Sequence, residues 1–199
     1  MKISDPVTLK GNHASLVPLE MAHHDVLCDA VKDGELWKLW YTSIPSPENM
    51  VKEIERRLGL QKIGSMNPFC VLDSQSKPVG MTTYMNIDQD NRLLEIDSTW
   101  YCKSIQRTAI NTECKLMLLT HAFETLGCIA VEFRTHWFNH QSRAGIERLG
   151  AKLDGVLRSH QLNRHPDAMN SIRDTCVYSI IVSEYPAVKA NLSFKLKDG

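Results

Sequence analysis

The chain has no net charge: across 199 residues, 23 Lys and Arg offset 23 Asp and Glu. Without a basic excess there is no phosphate-tracking surface, and the composition argues against a nucleic-acid partner. No CxxC pair occurs among the six cysteines Cys28, Cys70, Cys102, Cys114, Cys128 and Cys176. The opening stretch MKISDPVTLKGNHASL lacks the apolar segment of an export signal. Reduced, buried thiols in a cytoplasmic protein are therefore the expectation. No uninterrupted apolar run reaches bilayer length, so no membrane partner is expected. Repeats, low-complexity tracts and linker-like stretches are also missing, which leaves one domain over 1–199. A hydrophobic fraction of 43% is enough for a buried core.

A metal signature is missing too. His136 and His140 are four apart, and His23 and His24 are adjacent. There is no HExxH, and no carboxylate or cysteine stands at ligand spacing. His136 ends an expected strand and His140 begins an expected helix, so no metal is predicted.

What is present reads as alternating sheet and helix. Ala14 to Leu19 is a short strand, with Pro18 near its end. Met21 to Trp40 has helical apolar spacing (Val26, Ala30, Val31, Trp37), divided at Gly34. Ser46-Pro47 reads as a helix start with Ser as the cap, followed by an apolar face of Met50, Val51, Ile54 and Leu58. Phe69 to Leu72, Val79 to Ile87 and Leu93 to Tyr101 are strands, the last two joined by a turn at Asp88 to Asn91. Alternation along the third strand puts Leu94, Ile96, Ser98 and Trp100 on one face. Leu93, Glu95, Asp97, Thr99 and Tyr101 then share the other. A helix over Ile110 to Leu126, a strand over Ile129 to Thr135 and a helix over 140–149 ended by Gly150 follow. Ala151 to Arg158 and Cys176 to Val182 close the chain as a hairpin. The order predicts an α+β fold with a mixed sheet.

The segment Ser104-Ile105-Gln106-Arg107-Thr108-Ala109-Ile110-Asn111 lies between a strand and an amphipathic helix. A tight turn entering a helix offers free backbone N–H groups and the positive end of the helix dipole. That combination suits a pyrophosphate. The segment resembles the acetyl-CoA pyrophosphate loop of GNAT acetyltransferases, Gln/Arg-x-x-Gly-x-Gly/Ala. Gln106 matches its first position, while Ala109 and Asn111 replace the two small residues. Asn139-His140-Gln141-Ser142-Arg143-Ala144, followed by Ile146-Glu147-Arg148-Leu149-Gly150-Ala151, is similar to the N-x-x-S-x-x-x-I-E-x-L-G block of the RimJ/RimL-like branch. Arg173 to Ser179 also resembles the last strand of RimL-like proteins. The resemblance spans nearly the whole chain.

The resemblance implies a GNAT-like, mostly antiparallel sheet flanked by helices, with acetyl-CoA as co-substrate. Cofactor contacts fall on Trp100 and Tyr101 at the strand end and on Gln106, Arg107, Thr108, Ala109, Ile110, Asn111 and Thr112 in the loop. Asn139, Ser142 and Arg143 would flank the pantetheine arm. Acetyl transfer from a thioester to an amine needs a base, and Glu95 is the candidate, directly or through a water; otherwise it is a paired strand carboxylate. Asp97 is either a second carboxylate shaping substrate charge preference or a solvated residue. The family's helix Tyr, which protonates the departing thiolate, is replaced here by Ile146. Ser142 is the candidate donor in its place; its other reading is a helix cap. Trp37, Trp40 and Tyr41 are core residues or an aromatic acceptor wall. The acceptor is a primary amine, a small molecule or a protein N-terminus, and a homodimer is common among such relatives. The competing function is a non-catalytic acyl-CoA-binding module on the same scaffold.

Overall fold

The computed structural model describes residues 2–197. One eight-stranded sheet organises them, in the order β1-β2-β3-β4-β5-β6-β8-β7. Its strands are β1 (Leu9–Lys10), β2 (Ala14–Pro18), β3 (Met66–Asp73), β4 (Pro78–Asp88), β5 (Leu93–Tyr101), β6 (Ala130–His136), β7 (Lys152–Leu162) and β8 (Ile172–Ile181). All pairs are antiparallel except β5 with β6. The helices are α1 (His24–Lys32), α2 (Met50–Lys62), α3 (Ala109–Thr120), α4 (His140–Leu149) and α5 (Tyr185–Lys195). This is the expected mixed α+β architecture.

Two apolar layers hold the sheet. Leu27, Val31, Met50 and Ile54 of α1 and α2 pack with Cys70, Met81 and Trp100 on one side. Ile110, Cys114, Leu118 and Leu119 of α3 pack with Tyr84, Leu94, Ile96 and Phe133 on the other. The buried carboxylate of Glu113 accepts from the backbone N–H groups of Asn12, His13 and Ala14 at 2.7–2.8 Å, tying α3 to the β1–β2 turn. Gly80 is required because a Cβ there would collide with the Trp100 carbonyl on β5. Gly150 ends α4 at φ 106, the left-handed geometry that favours glycine.

Four sequence expectations are corrected. Strict alternation along β5 fails, because Ser98 has φ 51 and the pairing shifts between Met81↔Trp100 and Thr83↔Asp97. This bulge reverses the faces beyond it. Tyr101 joins Leu94 and Ile96 on the α3 side, and Trp100 joins the α1–α2 side. Ser46 precedes a short 3-10 turn at Pro47–Asn49 but makes no side-chain cap; its hydroxyl accepts from Asn49 Nδ2. The chain does not end in a hairpin, since α5 follows β8. Its apolar spacing of Tyr185, Val188 and Leu192, with Pro186 in the first turn, is a helical signal the sequence reading passed over. Finally, β1 adds a two-residue edge strand.

Candidate active site

The parallel β5–β6 pairing covers only Leu93↔Ala130 through Glu95↔Glu132. Beyond Glu95 the strands part, and β6 continues to pair with β8 as far as His136↔Thr175. The freed edge of β5, from Glu95 to Tyr101, lines a cleft of about 750 Å³. The start of α3, the face of α4, the start of β8 and the segment after α1 complete its wall. A free strand edge beside a helix N-terminus offers main-chain partners to an extended amide chain and an anion site at its end.

The loop singled out by the sequence lies at the start of α3. Thr108 caps α3, its Oγ1 accepting from Ile110 N, and Arg107 has φ 65. The first-turn N–H groups of a helix have no intrahelical acceptor. The preceding turn, Lys103–Ile105, is fixed by Asp33, which accepts from Ser104 N at 2.9 Å. Trp100, Tyr101, Gln106, Arg107, Thr108 and Asn111 line the cleft, as do Asn139 and Ser142. Ala109, Ile110, Thr112 and Arg143 do not line it. Ile110 and Thr112 turn into the protein, and Ala109 can contribute only its backbone at the helix start. Arg143 is drawn away: its Nε donates to Tyr178 Oη at 3.2 Å, and its guanidinium lies 4.4 Å from the Trp137 ring centre. Asn139 is the α4 cap, with Oδ1 accepting from Ser142 N at 3.0 Å. The Ser142 hydroxyl is therefore not the cap and stands on the cleft wall.

Where the strands part, Glu95 is only 2% exposed. Its Oε2 accepts from Asn86 Nδ2 at 2.6 Å, and Arg134 Nε lies 3.5 Å away. Burial, then the neighbouring Asp97 carboxyl, push its pKa up to about 8. Burial likewise raises Asp97, whose carboxyl neighbours that of Glu95. Two like carboxyls side by side favour holding one proton between them. Asp97 is half-buried and lines the cleft beside Glu95.

Other groups here were missed by the sequence reading. Arg57 of α2 is 1% exposed; it pairs with Glu53 and donates to Thr83 Oγ1 and the Ser98 carbonyl. Lys115 of α3 is 7% exposed, donates to Thr99 Oγ1 at 3.0 Å, and burial drops its pKa to about 8. Arg173 of β8, with His136 and His160, lines the far end. Tyr41 joins the cleft wall, while Trp37 packs into the α1–α2 layer. Trp40 instead stands edge-on to His136 with ring centres 5.0 Å apart. All six cysteines are free thiols. Among the described residues, no helix is long and apolar enough to cross a membrane.

Residues 14–152 match the family described as Acetyltransferase (GNAT) domain. No curated protein matches the chain. Among solved structures, a GCN5-related N-acetyltransferase from Brucella melitensis is 26% identical with a TM-score of 0.83, covering 96% of this chain and 86% of its own. A protein from T. thermophilus classed as an acetyltransferase is 29% identical with a TM-score of 0.83, covering 96% and 98%. A Salmonella typhimurium acetyltransferase that modifies the N-terminal serine of ribosomal protein L7/L12 shares the fold at 17% identity and TM-score 0.76, covering 88% and 99%. The chain belongs to the GNAT acetyltransferase family and is an acetyl-CoA-dependent N-acetyltransferase.

Proposed function

We propose that the cleft binds acetyl-CoA with its pyrophosphate at the N-terminus of α3 and passes the acetyl group directly to a primary amine held in the same complex. The residues fit that co-substrate: small and polar side chains at the helix start leave the backbone N–H groups accessible, and the parted β5 edge suits the pantetheine amides. Gln106, Arg107, Thr108 and Asn111 surround the pyrophosphate end. Asn139 and Ser142 flank the arm.

Glu95, with Asp97, removes a proton from the acceptor ammonium, directly or through a water. The neutral nitrogen attacks the thioester carbonyl, the C–S bond breaks, and as the amide forms the nitrogen's second proton passes to water or replaces the one that the Ser142 hydroxyl gives to the thiolate. The thiolate takes a proton from the Ser142 hydroxyl or leaves unaided, since a thiol pKa of about 8.5 makes it a tolerable leaving group. The observation that carries this reading is the buried Glu95 carboxyl, raised to about 8, at the point where β5 and β6 part. A base with such a pKa is suited to work near neutral pH.

The acceptor is a protein N-terminus or a small amine. The block from Asn139 to Ala151 favours the RimJ/RimL-like branch, and a cytoplasmic homodimer is the expected setting. Release of free CoA thiol from acetyl-CoA, measured against a panel of primary amines and N-terminal peptides, tests the reading. Acceptor-dependent release supports it. Binding of CoA without release would reduce the protein to a cofactor-binding module.

A further inference from the structure

The far end of the cleft carries cationic and donor groups that the chemistry above does not use. Arg173 and Thr175 are two residues apart on β8, and both line the cleft. Thr175 stands opposite His136 of β6. Gln161 of β7 stands opposite Arg173, and His160 beside it reaches Thr175 Oγ1 through Nδ1 at 3.1 Å. Arg173 donates through Nε to that same Oγ1 at 3.0 Å. This contact orients the guanidinium, and among the described residues its two terminal nitrogens make no hydrogen bond.

Five arginines line this cleft. Arg107 precedes α3 and Arg148 lies on α4, while Arg57, Arg134 and Arg173 line it from α2, β6 and β8 and differ in one respect. Arg57 is paired with Glu53, and Arg134 is paired with Glu132 and lies near Glu95. Among the described residues, Arg173 has no carboxylate within salt-bridge distance. The Glu95 and Asp97 carboxyls lie near enough to act on its charge without pairing with it. Beside it, His136 is 3% exposed. Its Nδ1 accepts from Phe138 N at 3.1 Å, so the neutral ring carries its proton on Nε2, and that nitrogen has no partner among the described residues. Burial and the Arg173 charge both keep the ring neutral. A half-buried guanidinium and an orphaned buried N–H on one wall leave donors without acceptors, an arrangement that favours an anionic ligand.

We propose that the acceptor amine carries a carboxylate, bound by Arg173 with His136 beside it, while Glu95 and Asp97 receive the amine. The substrate class is an amine with a nearby carboxylate: a free amino acid, or a peptide whose first residue is acidic. The placement explains why the dyad and the free arginine share one cleft without touching, since a zwitterionic acceptor spans the gap between them. The inference rests on the proposed transferase reading of the same site.

The test measures thiol release from acetyl-CoA with the common L-amino acids and their matching amides, and with peptide amides beginning with Asp or Glu against Asn or Gln. The expected result is a kcat/KM at least about tenfold higher for carboxylate-bearing acceptors than for their neutral partners. Preference among the amino acids or among the peptides distinguishes the two sources. Arg173→Gln collapses that ratio toward one, chiefly through KM for the carboxylate acceptor. Arg173→Lys keeps the charge and retains part of the preference. A thermal shift with CoA verifies that each variant is folded. Equal rates for acids and amides, or an Arg173→Gln variant that slows both alike, would overturn the proposal and leave the transferase reading standing. No release with any amine would overturn both.

Discussion

The buried guanidinium of Arg57 donates through Nη2 to the carbonyl of Ser98 at 3.1 Å, and Ser98, at φ 51, is the bulged residue of β5. A residue of α2 thereby holds the turn in the strand that sets Glu95 and Asp97 on one face and Thr99 and Tyr101 on the other. Arg57 is in turn held by Glu53 at 2.7 Å and Thr83 at 2.7 Å. Arg57→Met leaves the Ser98 carbonyl and Thr83 Oγ1 without their donor, while Glu53 keeps its two hydrogen bonds from Arg56. Leaving such acceptors unsatisfied costs about 1–3 kcal/mol, which for a chain of this length lowers the melting temperature by about 2–12 °C. Calorimetry of the variant measures it, and an unchanged melting temperature would show that the clamp adds nothing to the fold.

The Glu95–Asp97 pair sets a pH dependence whose sign is fixed. Glu95 rises from 4.5 to about 8 in the folded protein, so between those values the folded state holds a proton that the unfolded chain releases. Stability is greatest below the lower value and falls as pH climbs through the upper one. Turnover needs the free base, so kcat/KM rises with pH along a limb whose apparent pKa, near 8, belongs to the pair. Asp97→Asn removes the neighbouring negative charge and moves the limb to lower pH. Glu95→Gln lowers turnover by about 10²-fold or more while CoA binding persists. A limb unmoved in Asp97→Asn would mean that the two carboxyls do not share their proton.

Ser142 and Asn139 separate capping from chemistry. Since Asn139 supplies the α4 cap, Asn139→Ala costs about 1 kcal/mol of stability. Ser142→Ala should leave the melting temperature near that of the parent and lower turnover, with CoA affinity little changed, because a hydrogen bond to the departing sulfur matters as charge builds there. Melting and turnover measured on the same preparations give the answer. Full activity in Ser142→Ala removes the hydroxyl from the reaction.

Ala109 occupies the first position of α3, where the proposed pyrophosphate meets the helix dipole. Ala109→Asp introduces an anion there. CoA affinity is expected to fall at least tenfold, about 1.4 kcal/mol, by equilibrium titration. A folded variant that binds CoA as tightly as the parent would relocate the phosphate site.

The sequence exposed those parts of the site that are local. A polar turn entering an amphipathic helix marked the loop, and the family resemblance, with its need for a base, pointed to Glu95. The bulge at Ser98 left no glycine or proline as a sign, so strict alternation misassigned Thr99, Trp100 and Tyr101. Arg57 sits in a charged run, Glu53 to Arg57, yet at positions 50, 54 and 57 it continues the buried face of α2. A cation at a core position was the available signal. Arg173, His136 and His160 come from three strands, and only the β6-β8-β7 order brings them together.

Lys115 presents the opposite case from Arg57, a buried cation whose only hydrogen-bond partner among the described residues is neutral. Its Nζ donates to Thr99 Oγ1 and lies 6.0 Å from the Phe133 ring centre. Burial lowers its pKa from 10.5 to about 8, the charge of Asp97 opposing the drop only in part. Between those values the unfolded chain holds a proton that the folded protein has lost, so this group makes stability rise with pH across that window. At pH 7 the ammonium is present and its desolvation is a cost to the fold. Lys115→Met keeps most of the stem and removes the charge. It should melt higher at pH 7, by about 2–4 °C for each kcal/mol recovered, and lose the rise in stability above about pH 8. Removing a positive charge near Asp97 should also move the rising limb of kcat/KM to higher pH, since the shared proton becomes harder to release. A variant that melts lower, with the limb unmoved, would show instead that Lys115 serves the fold through its stem and contact with Thr99.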